Sequence, residues 1–204
     1  MNRTAGVIVG PALLVLGMAF AQGSMGGMDH SQMGGSMPAG NTMSMTGSMD
    51  MGALEKLSGK AFDRAFLSMM IPHHQAAIDM ARAVLPLNKD ATVKQWATQV
   101  IQDQSREITV MTKLLATYGG ADTAMSATMK SGMAEMATAI KTSKQPDQAF
   151  VQGMLPHHSS ALDMAQLALQ KSANSQVLTL ARDIVTAQAK EMYDFRRWLI
   201  KRGA

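Results

Sequence analysis

The sequence contains no cysteine, and this absence excludes several classes of protein. Disulfide scaffolds, zinc–thiolate sites, thiol catalysis and blue-copper centres all need cysteine sulfur. Attachment of a lipid to an N-terminal cysteine is excluded for the same reason. Aromatic residues make up only 4% of the chain, and its net charge of +4 is scattered, so nucleic-acid binding has no support.

Strand signals and catalytic motifs are missing as well. There are no alternating β-branched runs or hairpin dipeptides, and no serine motif of the spacing that hydrolytic triads use. The di-iron sites of ferritin-like oxidases need Glu-x-x-His motifs, and no glutamate stands three residues before any histidine. We therefore recognise no catalytic constellation, and a ferritin-like metal oxidase is the less favoured alternative.

The first residues have the pattern of an export signal. Arg3 precedes an apolar run over residues 7–20, and Ala19-Phe20-Ala21 has the small-x-small form of a cleavage site. This pattern predicts a signal peptide over residues 1–21 and a periplasmic or secreted protein. A retained membrane anchor is the competing interpretation. Because glycine and proline interrupt a run shorter than the roughly 20 residues of a membrane span, we expect no stable anchor after cleavage.

The next segment, residues 22–52, is rich in methionine. Glycine, serine, threonine, asparagine and proline fill it without helical or strand period, which predicts a disordered tail. Thioethers are soft ligands that favour Cu(I), and a flexible chain can gather several around one ion. The predicted labile metal sites are Met25, Met28, His30, Met33, Met43, Met45, Met49 and Met51. A biased linker without a ligand and a sacrificial antioxidant that forms sulfoxides are the alternatives.

The rest of the chain is an internal repeat. Residues 62–120 match residues 146–204 without a gap, so that Pro72-His73-His74 aligns with Pro156-His157-His158. Each half has the pattern of a helical hairpin, which predicts an all-α, ferritin-like four-helix bundle over residues 53–204. The predicted arms are 61–85 and 90–118 in the first half, and 147–170 and 174–202 in the second.

A connecting helix is predicted over residues 122–142, between the two hairpins. Methionines and an isoleucine recur there at helical spacing, namely Met125, Met129, Met133, Met136 and Ile140. A methionine stripe of this kind is usually core filler, because the thioether side chain adapts to irregular gaps.

Four of the five histidines occupy equivalent positions on the apolar arcs of the two first arms. Methionines lie one turn before the second histidine and two turns after the first histidine of each pair. Imidazole with thioether suits copper, so the predicted metal ligands are His73, His74, His157, His158, Met70, Met80, Met154 and Met164. A histidine that merely packs in the core is the alternative. Zinc and nickel suit the imidazoles but not the methionines.

The second arms each carry two polar residues in an otherwise apolar seam. A buried carboxylate is costly unless it is paired or binds a cation, so matched insertions indicate a polar centre inside the bundle. Gln104, Glu107, Gln188 and Glu191 are therefore possible metal ligands or groups that orient the ligands. Asp79 and Asp163 have the positions of solvated-face residues instead.

The doubled motif, Pro-His-His-Gln-Ala-Ala-Ile-Asp-Met-Ala at 72–81 and Pro-His-His-Ser-Ser-Ala-Leu-Asp-Met-Ala at 156–165, resembles a known family. It is similar to the His-His…Met-Ala signature of domain-of-unknown-function family three hundred and five. The resemblance spans residues 60–203. It implies a ferritin-like bundle, usually exported, with some members associated with copper binding and tolerance. By position it implicates His73, His74, Met80, His157, His158 and Met164.

Two functional hypotheses follow from the sequence. The first is an exported copper-binding protein that sequesters the ion or passes it to another exported copper protein. The second is a metal-free structural or interaction bundle in which the histidine pairs are buried polar residues. Gly153 stands where the first repeat has Met69, so the two halves need not bind metal equally.

Overall fold

The computed structural model describes residues 51–204, and the regular structure in this range is entirely helical. None of these helices is both long and apolar enough to span a membrane. In chain order they are α1 (Gly52–Glu55), α2 (Gly59–Val84), α3 (Ala91–Thr117), α4 (Thr123–Gly132), α5 (Met136–Thr142), α6 (Pro146–Lys171) and α7 (Ser175–Ile200). The predicted all-α fold of two repeated hairpins is confirmed, and each of the four arms begins and ends within two residues of its predicted bounds.

The second arm of each hairpin begins at an equivalent cap. The Asp90 carboxylate accepts hydrogen bonds from the backbone N–H groups of Thr92 and Val93 at the start of α3. The Asn174 side chain does the same for Gln176 and Val177 at the start of α7. A side-chain oxygen at this position satisfies backbone donors that have no partner within the helix. Both hairpin turns therefore end on the same local signal.

The helices α2 and α6 cross antiparallel at the centre of the bundle. Helix α2 also packs on α3, α4 and α5, and α6 packs on α7 and α5. Gly153 of α6 leaves space that the ε-methyl of Met80 fills, since a Cβ built on Gly153 would lie 2.9 Å from that methyl. The first arms thus approach each other closely where one of them lacks a side chain.

The outer arms α3 and α7 are joined at both ends by equivalent polar contacts. At one end, the Asn174 amide donates to the Tyr118 hydroxyl at 2.9 Å. At the other end, Arg202 forms an ion pair with Asp90. Because Tyr118 and Asp90 occupy the repeat positions of Arg202 and Asn174, the two hairpins are related by an approximate two-fold axis.

The single connecting helix predicted over 122–142 is wrong, because the structure divides it into α4 and α5. Gly132, which has a low helix propensity, ends α4. The Met133 N–H then bonds to the Lys130 carbonyl three residues back, which tightens the last turn. Met129 and Met133 are almost fully buried, so this part of the stripe lies in the core, as predicted.

The described residues begin at Met51, two residues before the predicted domain boundary at residue 53. Met51 precedes α1, and its side chain packs in part against the core cluster that contains the fully buried Leu54. The other predicted tail sites, which are Met25, Met28, His30, Met33, Met43, Met45 and Met49, lie outside the described residues, as does the predicted signal peptide.

The contact between Gly153 and Met80 gives a stability prediction. We expect Gly153→Met, which restores the residue of the first repeat, to lower the free energy of unfolding by about 1–3 kcal/mol, because it overpacks the space that Met80 fills. Gly132→Ala is the control, since no atom beyond its chain neighbours and its own helix backbone lies within 4 Å of the added Cβ. It should leave stability unchanged or raise it by less than about 1 kcal/mol. Urea unfolding followed by circular dichroism measures both, and equal stability of Gly153→Met and the parent would contradict the prediction.

Candidate metal centre

His73 of α2 and His157 of α6 face each other at the centre of the bundle. Both side chains are fully buried, and their ring centroids are 3.8 Å apart at an interplanar angle of 41°. Each follows a proline within its helix, and each lies on the apolar arc of an arm that packs against the other arm. The antiparallel crossing of α2 and α6 therefore brings the two equivalent residues together.

Hydrogen bonds fix the proton position on both central rings. Ser160 donates its hydroxyl proton to the His157 carbonyl at 2.8 Å, so its oxygen accepts from His73 Nε2 at 2.8 Å. His157 Nε2 lies 3.0 Å from the His73 carbonyl oxygen, which can only accept. Both rings therefore carry hydrogen on Nε2, and in the neutral rings the lone pair lies on Nδ1.

The surroundings keep these two rings neutral. Burial lowers the pKa of His73 well below its ordinary value of 6.5, and the neighbouring His157 lowers this pKa further. Burial likewise lowers the pKa of His157, and His158 adds to the effect. A charged imidazolium loses its hydration when buried, which is why the neutral form is favoured.

The two outer histidines pair with the glutamates of the second arms. His74 Nε2 lies 2.6 Å from Glu107 Oε2, and His158 Nε2 lies 2.6 Å from Glu191 Oε2. A carboxylate accepts, so each ring donates from Nε2. Both histidines are fully buried, whereas the glutamate side chains are 22% and 23% exposed. Glu107 and Glu191 thus contact the ligand candidates rather than lying apart from them.

All four histidines consequently present the same unsatisfied atom. His73, His74, His157 and His158 have a buried Nδ1 without a hydrogen-bond partner. Buried polar atoms in folded proteins are nearly always satisfied, so four equivalent exceptions need an explanation. Histidines that bind metals usually donate their other ring N–H to a carboxylate, a backbone carbonyl or a similar acceptor. The four rings fit this arrangement, with Nδ1 as the atom available to an ion.

The methionines predicted as ligands are buried in the same arms. Met70, Met154 and Met164 have no exposed surface, and Met80 is 1% exposed. Within residues 51–204, no group of three or more His, Cys, Asp or Glu side chains is arranged to hold an ion. An ion at these histidines would therefore take its other ligands from outside that set, and thioether sulfur is the donor at hand.

The remaining polar candidates divide into buried and exposed groups. Gln104 and Gln188 are each 3% exposed. The Gln104 Oε1 atom and both amide atoms of Gln188 have no hydrogen-bond partner, so neither glutamine is bonded to a histidine through these atoms. Asp79 is exposed, accepts from Gln75 at 2.9 Å and lies 3.9 Å from Arg82, while Asp163 is also exposed. The two aspartates are solvated-face residues, as predicted.

Sequence reasoning missed two residues that touch the histidines. Ser160 bonds to His73, and its only sequence signal was that it replaces Ala76 of the first repeat. Phe195 stacks on the His158 ring, with centroids 5.7 Å apart and an angle of 29°. Its repeat position in the first half is Met111, so aligning the second arms would have shown the difference.

Solved structures with this fold include the protein CopM. CopM in the Cu(II)-bound form is 31% identical, with a TM-score of 0.62, and the match covers 68% of this chain and 96% of that one. CopM in the Cu(I)-bound form is 29% identical, with a TM-score of 0.59 and the same coverage of both chains.

Two further comparisons concern the sequence. A 53-residue segment is 42% identical to an uncharacterized protein of Acanthamoeba polyphaga mimivirus. The matched segment is 26% of this chain and only 35% of that protein. A family model matches residues 15–115 and 147–204, which together are most of the chain. The chain therefore belongs to the family described as Domain of unknown function (DUF305), as the doubled histidine motif predicted.

Proposed function

We propose that this chain is an exported copper-binding protein that sequesters copper or passes it to another exported copper protein. One observation carries the proposal. Four fully buried imidazoles each donate a hydrogen bond from Nε2 and leave Nδ1 without a partner. An apolar core does not need four such atoms, whereas a metal site needs neutral imidazoles held in one tautomer by an acceptor on the far side.

The surrounding groups favour copper over harder ions. The candidate ligands available beside the histidines are buried methionines, and thioether with imidazole suits copper better than zinc, iron or magnesium. The resemblance to CopM, which has been solved in Cu(I)- and Cu(II)-bound forms, supports the same metal. In this proposal the buried histidines bind copper together with thioether sulfur rather than as one group of four imidazoles, and Glu107 and Glu191 orient the outer rings.

The tail has a separate role in this proposal. Its methionines and His30 capture Cu(I) weakly and reversibly, and the bundle binds copper more tightly. Export through the N-terminal signal would place both parts outside the cytoplasm, where a copper-binding protein can intercept the ion.

Removing one outer ligand or its acceptor tests the bundle site. We expect His74→Ala to lower copper affinity by at least about a hundredfold and Glu107→Gln by about 10- to 100-fold, because the glutamine no longer presents a charged acceptor to the ring. Gln75→Ala is the matched control, since Gln75 is exposed and adjacent to His74. Anaerobic Cu(I) titration against a chelator measures the affinities. Parent-like binding by both His74→Ala and His158→Ala would exclude the outer histidines as ligands.

Comparison of the mature chain with a chain that begins at Met51 separates the two kinds of site. The shorter chain should keep the tightest binding and lose the weaker equivalents, because only the bundle offers preorganised imidazoles. Loss of all binding with the tail would make the bundle a scaffold. If neither chain bound copper, the metal-free structural bundle would be the better interpretation.

The buried neutral histidines also predict how the metal-free protein responds to pH. The pKa of His73 and of His157 is lowered in the folded chain, so between that value and about 6.5 the unfolded chain binds more protons. The contribution of these two residues to the free energy of unfolding is therefore fully present above about pH 6.5. It falls as the pH drops, by up to about 1.4 kcal/mol per pH unit for each residue. Urea unfolding between pH 7.5 and 5 should show a shallower decline for His73→Met/His157→Met than for the parent. Parallel curves would count against neutral burial of the pair.

A further inference from the structure

The two outer histidines have different neighbours, although their hydrogen bonds are the same. In the second repeat, the Phe195 ring stacks on His158 and makes edge contacts with Trp96, at 5.0 Å, and Phe150, at 6.4 Å. This aromatic group covers the His158 ring with carbon. It offers no lone pair to an ion beside that ring.

In the first repeat, the position of Phe195 is taken by Met111. The histidine and the glutamate are 33 residues apart and 2.6 Å from each other in both halves. Helix α3 is therefore placed relative to α2 as α7 is relative to α6. Met111 lies one turn after Glu107, as Phe195 lies one turn after Glu191, and both side chains are fully buried. The approximate two-fold axis therefore places the Met111 thioether beside His74.

A second methionine belongs to the same group. Met70, one turn before His74, is fully buried and lies in the same core cluster as Met111. The equivalent pair in the second repeat, Met154 and Phe195, lies in the other core cluster. The first repeat thus combines an unpartnered imidazole nitrogen with two buried thioethers, while the second repeat combines it with one.

The glutamate that pairs with His74 also lines a surface groove. A groove between α3 and α7, with a cavity volume of about 420 Å³, is lined by Glu107, Arg106, Leu180 and Asp183 among others. Leu180 occupies the repeat position of Trp96, which instead packs on Phe195 in the second half. The groove reaches the carboxylate that accepts the hydrogen bond from His74 Nε2.

We propose that the first repeat holds the soft-metal site of the bundle, in which His74 Nδ1, Met70 and Met111 bind Cu(I), and that Phe195 makes the second-repeat position the weaker one. The proposal rests on the proposed copper-binding function. It adds that the first repeat binds Cu(I) more tightly and that the Met111 thioether causes the difference. Two thioethers and an imidazole form a donor set that favours Cu(I) over harder cations.

Exchange of the two residues tests the proposal. The experiment uses the full mature chain with the tail methionines and His30 replaced by serine, so that only the bundle binds. Met111→Leu keeps the volume and removes the sulfur, and Phe195→Met gives the second repeat the residue of the first. Met129→Leu is the control, since Met129 is a buried methionine of the same core cluster that is assigned no ligand role. Anaerobic titration with Cu(I) against a chelator gives the affinity and the stoichiometry.

Met111→Leu should weaken the tightest Cu(I) equivalent by at least about tenfold, an effect comparable to the loss of a supporting group at a metal site. Phe195→Met should tighten a second equivalent, and Met129→Leu should match the parent. Parent-like affinity in Met111→Leu would overturn this proposal while the copper function stood. If the serine-substituted parent chain itself bound no Cu(I), the proposal that the bundle binds copper would be contradicted instead.

A spectroscopic measurement supplies a readout that does not depend on affinity. In the same chain with ¹³C-labelled methionine methyl groups, Ag(I) serves as a redox-inert soft probe. The Met70 and Met111 ε-methyl resonances should shift at the first equivalent, and Met154 should shift only later. A first equivalent that moved Met154 and left Met111 unchanged would assign the tighter site to the second repeat and overturn the proposal.

Discussion

The rest of the structure depends on the burial of imidazole rings where α2 crosses α6. At this crossing the His73 and His157 rings lie 3.8 Å apart and are fully buried, which is possible only because neither is charged. Each ring keeps its proton on Nε2, since a hydroxyl and a backbone carbonyl accept there. The tautomer fixed at the centre is repeated at the outer rings by Glu107 and Glu191. The same ring atom, Nε2, thus makes the hydrogen bond in all four buried histidines, and Nδ1 of each is left without a partner.

Methionine makes such a core possible. Leucine would fill the same volume, but its side chain has no donor atom, and cysteine would introduce redox chemistry and disulfides. The thioether packs as an apolar group in the absence of an ion, and it can turn a lone pair toward a soft cation without leaving the core. The Met80 methyl that fills the space above Gly153 illustrates the packing role, and the buried Met70 beside the histidine motif illustrates a position where both roles are available. Side chains that stabilise the core are therefore also able to act as soft donors.

Much of this arrangement could be predicted because the chain contains two copies of one sequence pattern, which can be compared with each other. The repeat predicted both hairpins and the matched positions of Glu107 and Glu191, since hydrophobic spacing is a local property of sequence. The doubled histidine motif indicated the family by resemblance. Ser160 could not be assigned, because its bond to His73 depends on the register between α2 and α6. The break between α4 and α5 was missed because the methionine spacing continues through Gly132 as if the helix did. Met51 was assigned to the tail, although its packing depends on tertiary contact with the core.

The approximate two-fold axis has one more consequence. If two identical hairpins had associated as a dimer, every substitution would occur on both sides of the axis, and each improvement at one site would be imposed on the other. Here both hairpins belong to one polypeptide, so the second repeat can have Ser160 where the first has Ala76, Gly153 where it has Met69 and Leu180 where it has Trp96. A covalent duplication of this kind lets natural selection change one half while the other preserves the fold. The residues that break the symmetry are therefore where the two halves are free to specialise.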